Sequence, residues 1–321
     1  VYPATVLPLK GAPNAQICLL PIVAGFVGAD TMACVLATRI YENDEIQALV
    51  DIGTNGEVVM GSKDRLMACS APAGPAFEGA QIRDGMRGAV GAIDRVAIDG
   101  DVVCGTIGGA PPIGVCGSGL IDACAKMIDA GIIKASGALT RETDRALPEA
   151  LRARLLTGAN GREFVLASRE ESGKAEPISL TQSDIRQLQL AKSAIYSGIV
   201  MLQRVMGIPL EAIEKLMLCG GFGNYISIES ALKIRLLPEI AVNRISYVGN
   251  AAALGAQMAL LSEKERLRAF DLAGRIEHVA LATRPEFQEI FVDGMTFGPP
   301  GAAPQEVKAP ETTLIGCLDI A

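Results

Sequence analysis

"ALVDIGTNGEVVMG", residues 48–61, is the stretch on which the reading of this chain turns. Apolar residues alternate on both sides of a turn made of hydroxyl, amide and carboxylate groups, which predicts two short strands. Working outward, "IQALVDIG", "GEVVMGS" and "RLMACSA" predict a three-strand antiparallel meander over residues 46–71. Gly53 and Gly56 are expected to supply backbone angles that other residues resist. A tight turn of that kind aims successive N–H groups at an anion, and Thr54 and Asn55 add side-chain donors. Asp51, at a strand end, suits holding Mg²⁺ through water, and Glu57 suits the same task or orienting a water. A plain hairpin turn fits the same residues, so on this stretch alone both readings stand.

Composition narrows the class. The chain has 321 residues, half of them hydrophobic and a fifth charged, which supports a large buried core and excludes disorder for the chain as a whole. A net charge of −7 argues against a broad nucleic-acid surface. Apolar runs are broken by Gly, Pro or charge before the roughly 20 residues a membrane span needs, so no membrane association is expected. The cysteines are Cys18, Cys34, Cys69, Cys104, Cys116, Cys124, Cys219 and Cys317, with no C-x2-C pair. They read as reduced core residues of a cytoplasmic protein, with no zinc or iron–sulfur site in this chain. His278, the single histidine, reads as surface or packing. The chain starts at Val1 with no signal peptide, and a fragment of a longer protein is expected.

Elsewhere along the chain, "QICLLPI", residues 16–22, predicts a buried strand, followed by a loop and a helix through "GFVGADTMACVLATRI". "GPAFEGAQIRDGMRGAVG" predicts a short helix bounded by Gly. "DRVAIDGDVVCGTIG" predicts a hairpin turning at Asp99 and Gly100. The polar residues 136–180 are expected to be an insertion. In "TQSDIRQLQLAKSAIYSGIVMLQRVMG" the residues Ile185, Leu188, Ile195, Ile199, Leu202 and Met206 share a helical face, and Thr181 with Asp184 predicts a capping box. "IEKLMLCGGFGNY" predicts a second buried strand. "CLLPIVAGFVGADTMACVLA" and "KLMLCGGFGNYISIESALK" echo each other, which suggests two related lobes or chance.

Three further glycine sites carry candidate chemistry. Gly117, Ser118 and Gly119 open a helix whose free N–H groups attract anions, or they form a compact strand–helix joint. Gly220, Gly221 and Gly223 leave a bare backbone against which a flat ring such as adenine can lie, or they allow close packing. Gly249 and Asn250 open a helix of small residues. The P-loop pattern is absent.

The order of these motifs matches the phosphate, adenosine and connecting motifs of the actin-like ATPase superfamily. The set "LPIVAGFVGADTMA", "VDIGTNGEVVMG", "APAGPAFEGAQIRDGMRGAVGAI", "GVCGSGLIDA", "LQLAKSAI", "CGGFGNY" and "PEFQEIFVDGMTF" resembles, through nearly the whole chain, the C-terminal part of the reductive activators of corrinoid proteins. The resemblance implies an α/β, RNase H-like actin fold with ATP and Mg²⁺ as cofactors. It implies one complete lobe, a mixed sheet flanked by helices, over residues 46–297. Residues 1–45 would be a linker plus the last strand and helix of a first lobe, and residues 298–321 a tail. The implied job is ATP-dependent return of a Co(II) corrinoid to Co(I) for methyl transfer, with a corrinoid protein of a methyltransferase system as partner. By position, Asp51, Gly53, Thr54, Asn55 and Gly56 would line the phosphates. Gly220, Gly221 and Asn224 would border the adenosine, and Lys192 would lie near the ribose unless it is merely solvated. Asp30 would face the cleft, or would simply favour a helix start. The family's 2Fe–2S ferredoxin cluster and the Asp-Gly-Thr loop of the first lobe are not found in this sequence, so the iron–sulfur centre is expected only in a preceding domain. A non-catalytic docking module and a small-molecule kinase of the acetate or sugar type are the alternatives. A homodimer covering an open sheet edge is also expected.

Overall fold

A computed structural model describes residues 2–3, 12, 14–158, 161–221 and 226–298. β1 (Tyr2–Pro3) and β2 (Gln16–Ile17) form a two-residue antiparallel ladder. The buried strand expected over residues 16–22 is therefore a correction: Leu19 and Ile22 are exposed and only Gln16–Ile17 pairs. Pro21 brings no N–H to a ladder, and an apolar run becomes a buried strand only where a sheet receives it. The echo between the two "GF" segments fails for the same reason, because only the second begins with a sheet strand.

α1 (Ala29–Thr38) ends on Arg39 in the left-handed region. β3 (Gln47–Ile52), β4 (Gly56–Gly61) and β5 (Leu66–Ala71) form the predicted meander, with Asp51 opposite Glu57 and Glu57 opposite Ser70. The helix expected next is only a 3-10 turn, Pro75–Glu78, ended by Gly79 at φ +78°. A side chain at Gly79 would meet the Met86 backbone at 2.5 Å, so the loop folds back on itself instead of continuing a helix.

β6 (Ala92–Asp99) and β7 (Asp101–Thr106) form the predicted hairpin, with Gly100 at φ +73°. β8 (Gly114–Val115) runs parallel to β6 and leads into α2 (Gly117–Asp129). The polar stretch then holds α3 (Glu149–Ala153) and a small antiparallel sheet of β9 (Leu155–Gly158), β10 (Gly161–Ala167) and β11 (Ile178–Thr181).

α4 (Gln182–Met206) forms as its spacing predicts. Its capping box is complete: the Asp184 N–H donates to Thr181 Oγ1 at 3.1 Å and the Thr181 N–H to Asp184 Oδ2 at 2.8 Å. Gly207, at φ +69°, ends it. β12 (Lys215–Cys219), α5 (Ile228–Lys233), β13 (Ile245–Tyr247), α6 (Ala251–Leu261), α7 (Glu263–Arg275), β14 (Ile276–His278) and α8 (Pro285–Gly294) complete the chain. His278, on β14, is exposed.

The central sheet has the order β13-β12-β3-β4-β5-β14 and is mixed. β12 is parallel to β3 and β13, β14 is parallel to β5, and the meander is antiparallel. Period-2 alternation sends its residues to two cores. Val50, Val58, Cys69 and Leu218 face the larger core with α2 and α4. Leu49, Val59, Ala68 and Met217 face the smaller one, where α1, α6 and α7 cover the sheet. The crossing of α1 with α6 is close, because a side chain at Gly255 would lie 1.8 Å from the Ala33 carbonyl. No helix among the described residues is long and apolar enough to cross a membrane.

Candidate functional site

The site grows from one rung of the central sheet. Register aligns Cys219 on β12, Asp51 on β3, Glu57 on β4 and Ser70 on β5. All four lie on the face that α1 covers, two residues beyond Met217, Leu49, Val59 and Ala68. Asp30, in the first turn of α1, adds its charge to the same place: it pushes the carboxyl pKa values of both Asp51 and Glu57 upward.

Burial is the larger cause of both shifts. It raises Asp51 above the ordinary carboxylate range, opposed by the Cys34 thiol, which donates to Asp51 Oδ2 at 3.5 Å. Burial raises Glu57 to about 7, opposed by the Ser70 hydroxyl at 3.0 Å. Three carboxylates held this way repel one another when ionised, and a cation among them relieves that repulsion. A donor set of three carboxylates suits a hard cation such as Mg²⁺.

The turn itself is exposed at Thr54 and Asn55. It is tied down by the Gly53 N–H to the Asn55 carbonyl at 3.0 Å and the Gly74 N–H to the Thr54 carbonyl at 2.8 Å. Thr54 Oγ1 donates to Glu78 Oε1. Neither Gly53 nor Gly56 adopts positive φ, which corrects the reason given for them. Gly56 is required by packing: a side chain there would lie 2.5 Å from Ile195 Cγ1 on α4. Gly220 is the residue with special geometry. It stands at φ +98°, and a side chain would lie 2.6 Å from Asp51 Oδ1. The end of β12 thus brings bare backbone next to this carboxylate. Gly221 is exposed beside it. Gly223 and Asn224 lie outside the described residues.

Gly117, Ser118 and Gly119 are buried. Side chains at Gly117 and Gly119 would meet the carbonyls of Phe77 and Ile93 at 2.0 Å, so the compact joint is the arrangement seen. Lys192 is neither solvated nor open to a ligand. It is wholly buried, and its Nζ donates to the carbonyls of Gly294 and Thr296 and sits 4.7 Å over the Phe297 ring. Burial, aided by the Arg235 charge, lowers its pKa to about 6.

Sequence reasoning overlooked Ser70, Glu78, Cys34 and Cys219. Ser70 and Cys219 become visible once the strands are put in register. Glu78 and Cys34 reach the site through loop and helix packing and leave no local signal. All seven described cysteines are free, and Cys34, Asp51 and Cys219 bring their ligand-type atoms within 4.8 Å of one another.

The mixed sheet and its flanking helices define an actin-like α/β domain of the ASKHA class. Residues 45–306 match the family described as the C-terminal domain of RACo, the ASKHA domain, and the chain belongs to that family. It is 36% identical over 293 residues to the corrinoid activation enzyme RamQ of Eubacterium limosum, covering 91% of this chain and 49% of the relative. It is 26% identical over 324 residues to the Co(II) methylated amine-specific corrinoid protein reductase of Methanosarcina barkeri, covering 92% and 54%. A solved reductive activator for corrinoid, iron-sulfur protein superimposes with a TM-score of 0.84 at 42% identity, covering 92% of this chain and 46% of that one. The chain spans about half the length of these proteins.

Proposed function

We propose that this chain is the nucleotide-binding and partner-docking part of an ATP-dependent activator that returns a corrinoid protein from Co(II) to Co(I) in a methyltransferase system. The observation that carries the reading is the carboxylate rung. Asp51 and Glu57 are half-buried beside the exposed Thr54–Asn55 turn, with the Gly220 backbone packed directly against Asp51. The names of the relatives supply the corrinoid context.

In this reading Thr54, Asn55 and the N–H groups of their turn hold the phosphates. Asp51 orients the Mg²⁺ hydration shell, with Glu57 and Asp30 as further acceptors. Gly220 and Gly221 present backbone to the adenosine. ATP supplies binding energy that differs between open and closed arrangements of the protein, and that difference biases the docking surface. The exposed position of Thr54 and Asn55 suits a site that closes against a second surface, because positioning from both sides governs phosphoryl chemistry.

Calorimetric titration of Mg-ATP and Mg-ADP into the purified chain tests this. Saturable binding that weakens at least tenfold in Asp51→Asn is expected. Saturable binding unchanged in Asp51→Asn and Thr54→Val would refute the assignment of the site. Absence of binding both here and in a protein extended at its N-terminus would favour a docking module without nucleotide.

A further inference from the structure

Cys34, Asp51 and Cys219 come from three different elements, α1, β3 and β12, and meet at the edge of the smaller core. The Cys34 sulfur lies 3.9 Å from the Cys219 sulfur and 3.5 Å from Asp51 Oδ2. Tetrahedral zinc has Zn–S bonds of about 2.3 Å and Zn–O bonds of about 2.1 Å. Those lengths and a tetrahedral angle place two bound sulfurs about 3.8 Å apart and a sulfur and an oxygen about 3.6 Å apart. The two distances in this protein agree with both values. A disulfide instead needs its sulfurs at about 2.0 Å, so the present spacing suits a shared metal better than a direct bond.

We propose that Cys34, Cys219 and Asp51 form a binding site for a thiophilic divalent cation of the zinc class, with one coordination position left for water or a ligand oxygen. Thiolates select zinc, cobalt and cadmium over Mg²⁺, which prefers oxygen ligands alone. Two supports hold the arrangement in place. Gly220 packs on the other oxygen of Asp51, and the α1–α6 crossing at Gly255 locks the helix that carries Cys34. Asp51 is half-buried whereas both cysteines are fully buried, so the carboxylate is the solvent-side member of the trio. Since Asp51 also belongs to the proposed Mg-nucleotide site, the soft cation and Mg-nucleotide compete for one carboxylate. Zinc would then act as an inhibitor at this site.

The test uses the whole chain, fully reduced, anaerobic and without nucleotide, so that it stands apart from the nucleotide reading. Cobalt(II) is added and followed by absorption. The expected result is one equivalent bound, with thiolate-to-cobalt charge transfer and tetrahedral d–d bands, and displacement by zinc. Cys34→Ser and Cys219→Ser should each weaken cobalt at least tenfold and reduce the charge-transfer intensity. Asp51→Asn should shift the d–d bands while keeping the charge transfer. Cys18→Ser, away from the site, should change nothing. Far-UV circular dichroism checks that each variant is folded. If the wild-type chain shows no charge-transfer band, or the folded Cys34→Ser/Cys219→Ser double variant keeps it, the site is refuted.

Discussion

Lys192→Met isolates the cost of burying an amine. In the folded chain burial and Arg235 bring the Lys192 pKa from its ordinary 10.5 down to about 6. The unfolded chain binds the proton up to its ordinary pKa, so between pH 6 and 10.5 unfolding takes up one proton at this residue. Stability therefore rises with pH across that window. It is lowest below the folded pKa and relieved of the penalty above the unfolded one. One proton corresponds to about 1.4 kcal/mol per pH unit, or roughly 3 kcal/mol between pH 7 and 9. The neutral amine keeps two donors, which match the carbonyls of Gly294 and Thr296. Methionine removes both hydrogen bonds, at about 1–3 kcal/mol for each carbonyl left unpaired. The absolute change at neutral pH is thus a near-cancellation, and the slope is the discriminating quantity. Urea unfolding followed by far-UV circular dichroism, since the chain has no tryptophan, should show stability rising with pH in the wild type. The rise in Lys192→Met should be smaller by about 1.4 kcal/mol per pH unit. Parallel slopes in the two proteins would refute the claim that Lys192 is held neutral.

Two further outcomes follow from the site. The Glu57 carboxyl is raised to about 7 by burial, so its contribution to stability is full below its ordinary 4.5 and is lost as pH rises through 7. Glu57→Gln should flatten the pH profile of urea stability across that window and weaken Mg-nucleotide binding at pH 8, and an unchanged profile would count against the buried-carboxylate description. Gly56→Ala forces a methyl group to 2.5 Å from Ile195 Cγ1 and should destabilise by about 1–3 kcal/mol. Ile195→Ala in the same chain should recover part of that loss, and additive losses in thermal unfolding would show that Gly56 serves something other than the α4 contact.

Much of the fold was legible because its signals are local. The meander, the β6–β7 hairpin and α4 each carry their own periodicity, turn residues or cap within a few residues of sequence. The turn between β3 and β4 was legible too, since Asp51 at the end of β3 and Thr54 and Asn55 just beyond it are close in sequence. Residues 16–22 show where that style of reading fails. Their apolar run resembles a strand, yet only two residues pair, because a strand exists only with a partner beside it. Lys192 fails in the same way: its helix was clear, but its partners, the carbonyls of Gly294 and Thr296, lie about a hundred residues away.

The amino-acid sequence alone determined the meander, the β6–β7 hairpin and α4, and which turn bears Thr54 and Asn55, for those depend on backbone preference and short-range pattern. Tertiary structure alone decided what stands beside that loop. Strand register put Cys219, Asp51, Glu57 and Ser70 on one rung, and the packing of α1 on the sheet added Cys34 and the charge of Asp30. Burial then raised the two central carboxyls. Desolvation and contact across 17 and 185 residues of chain have no signature in either local stretch, and they are what gave this site its electrostatics.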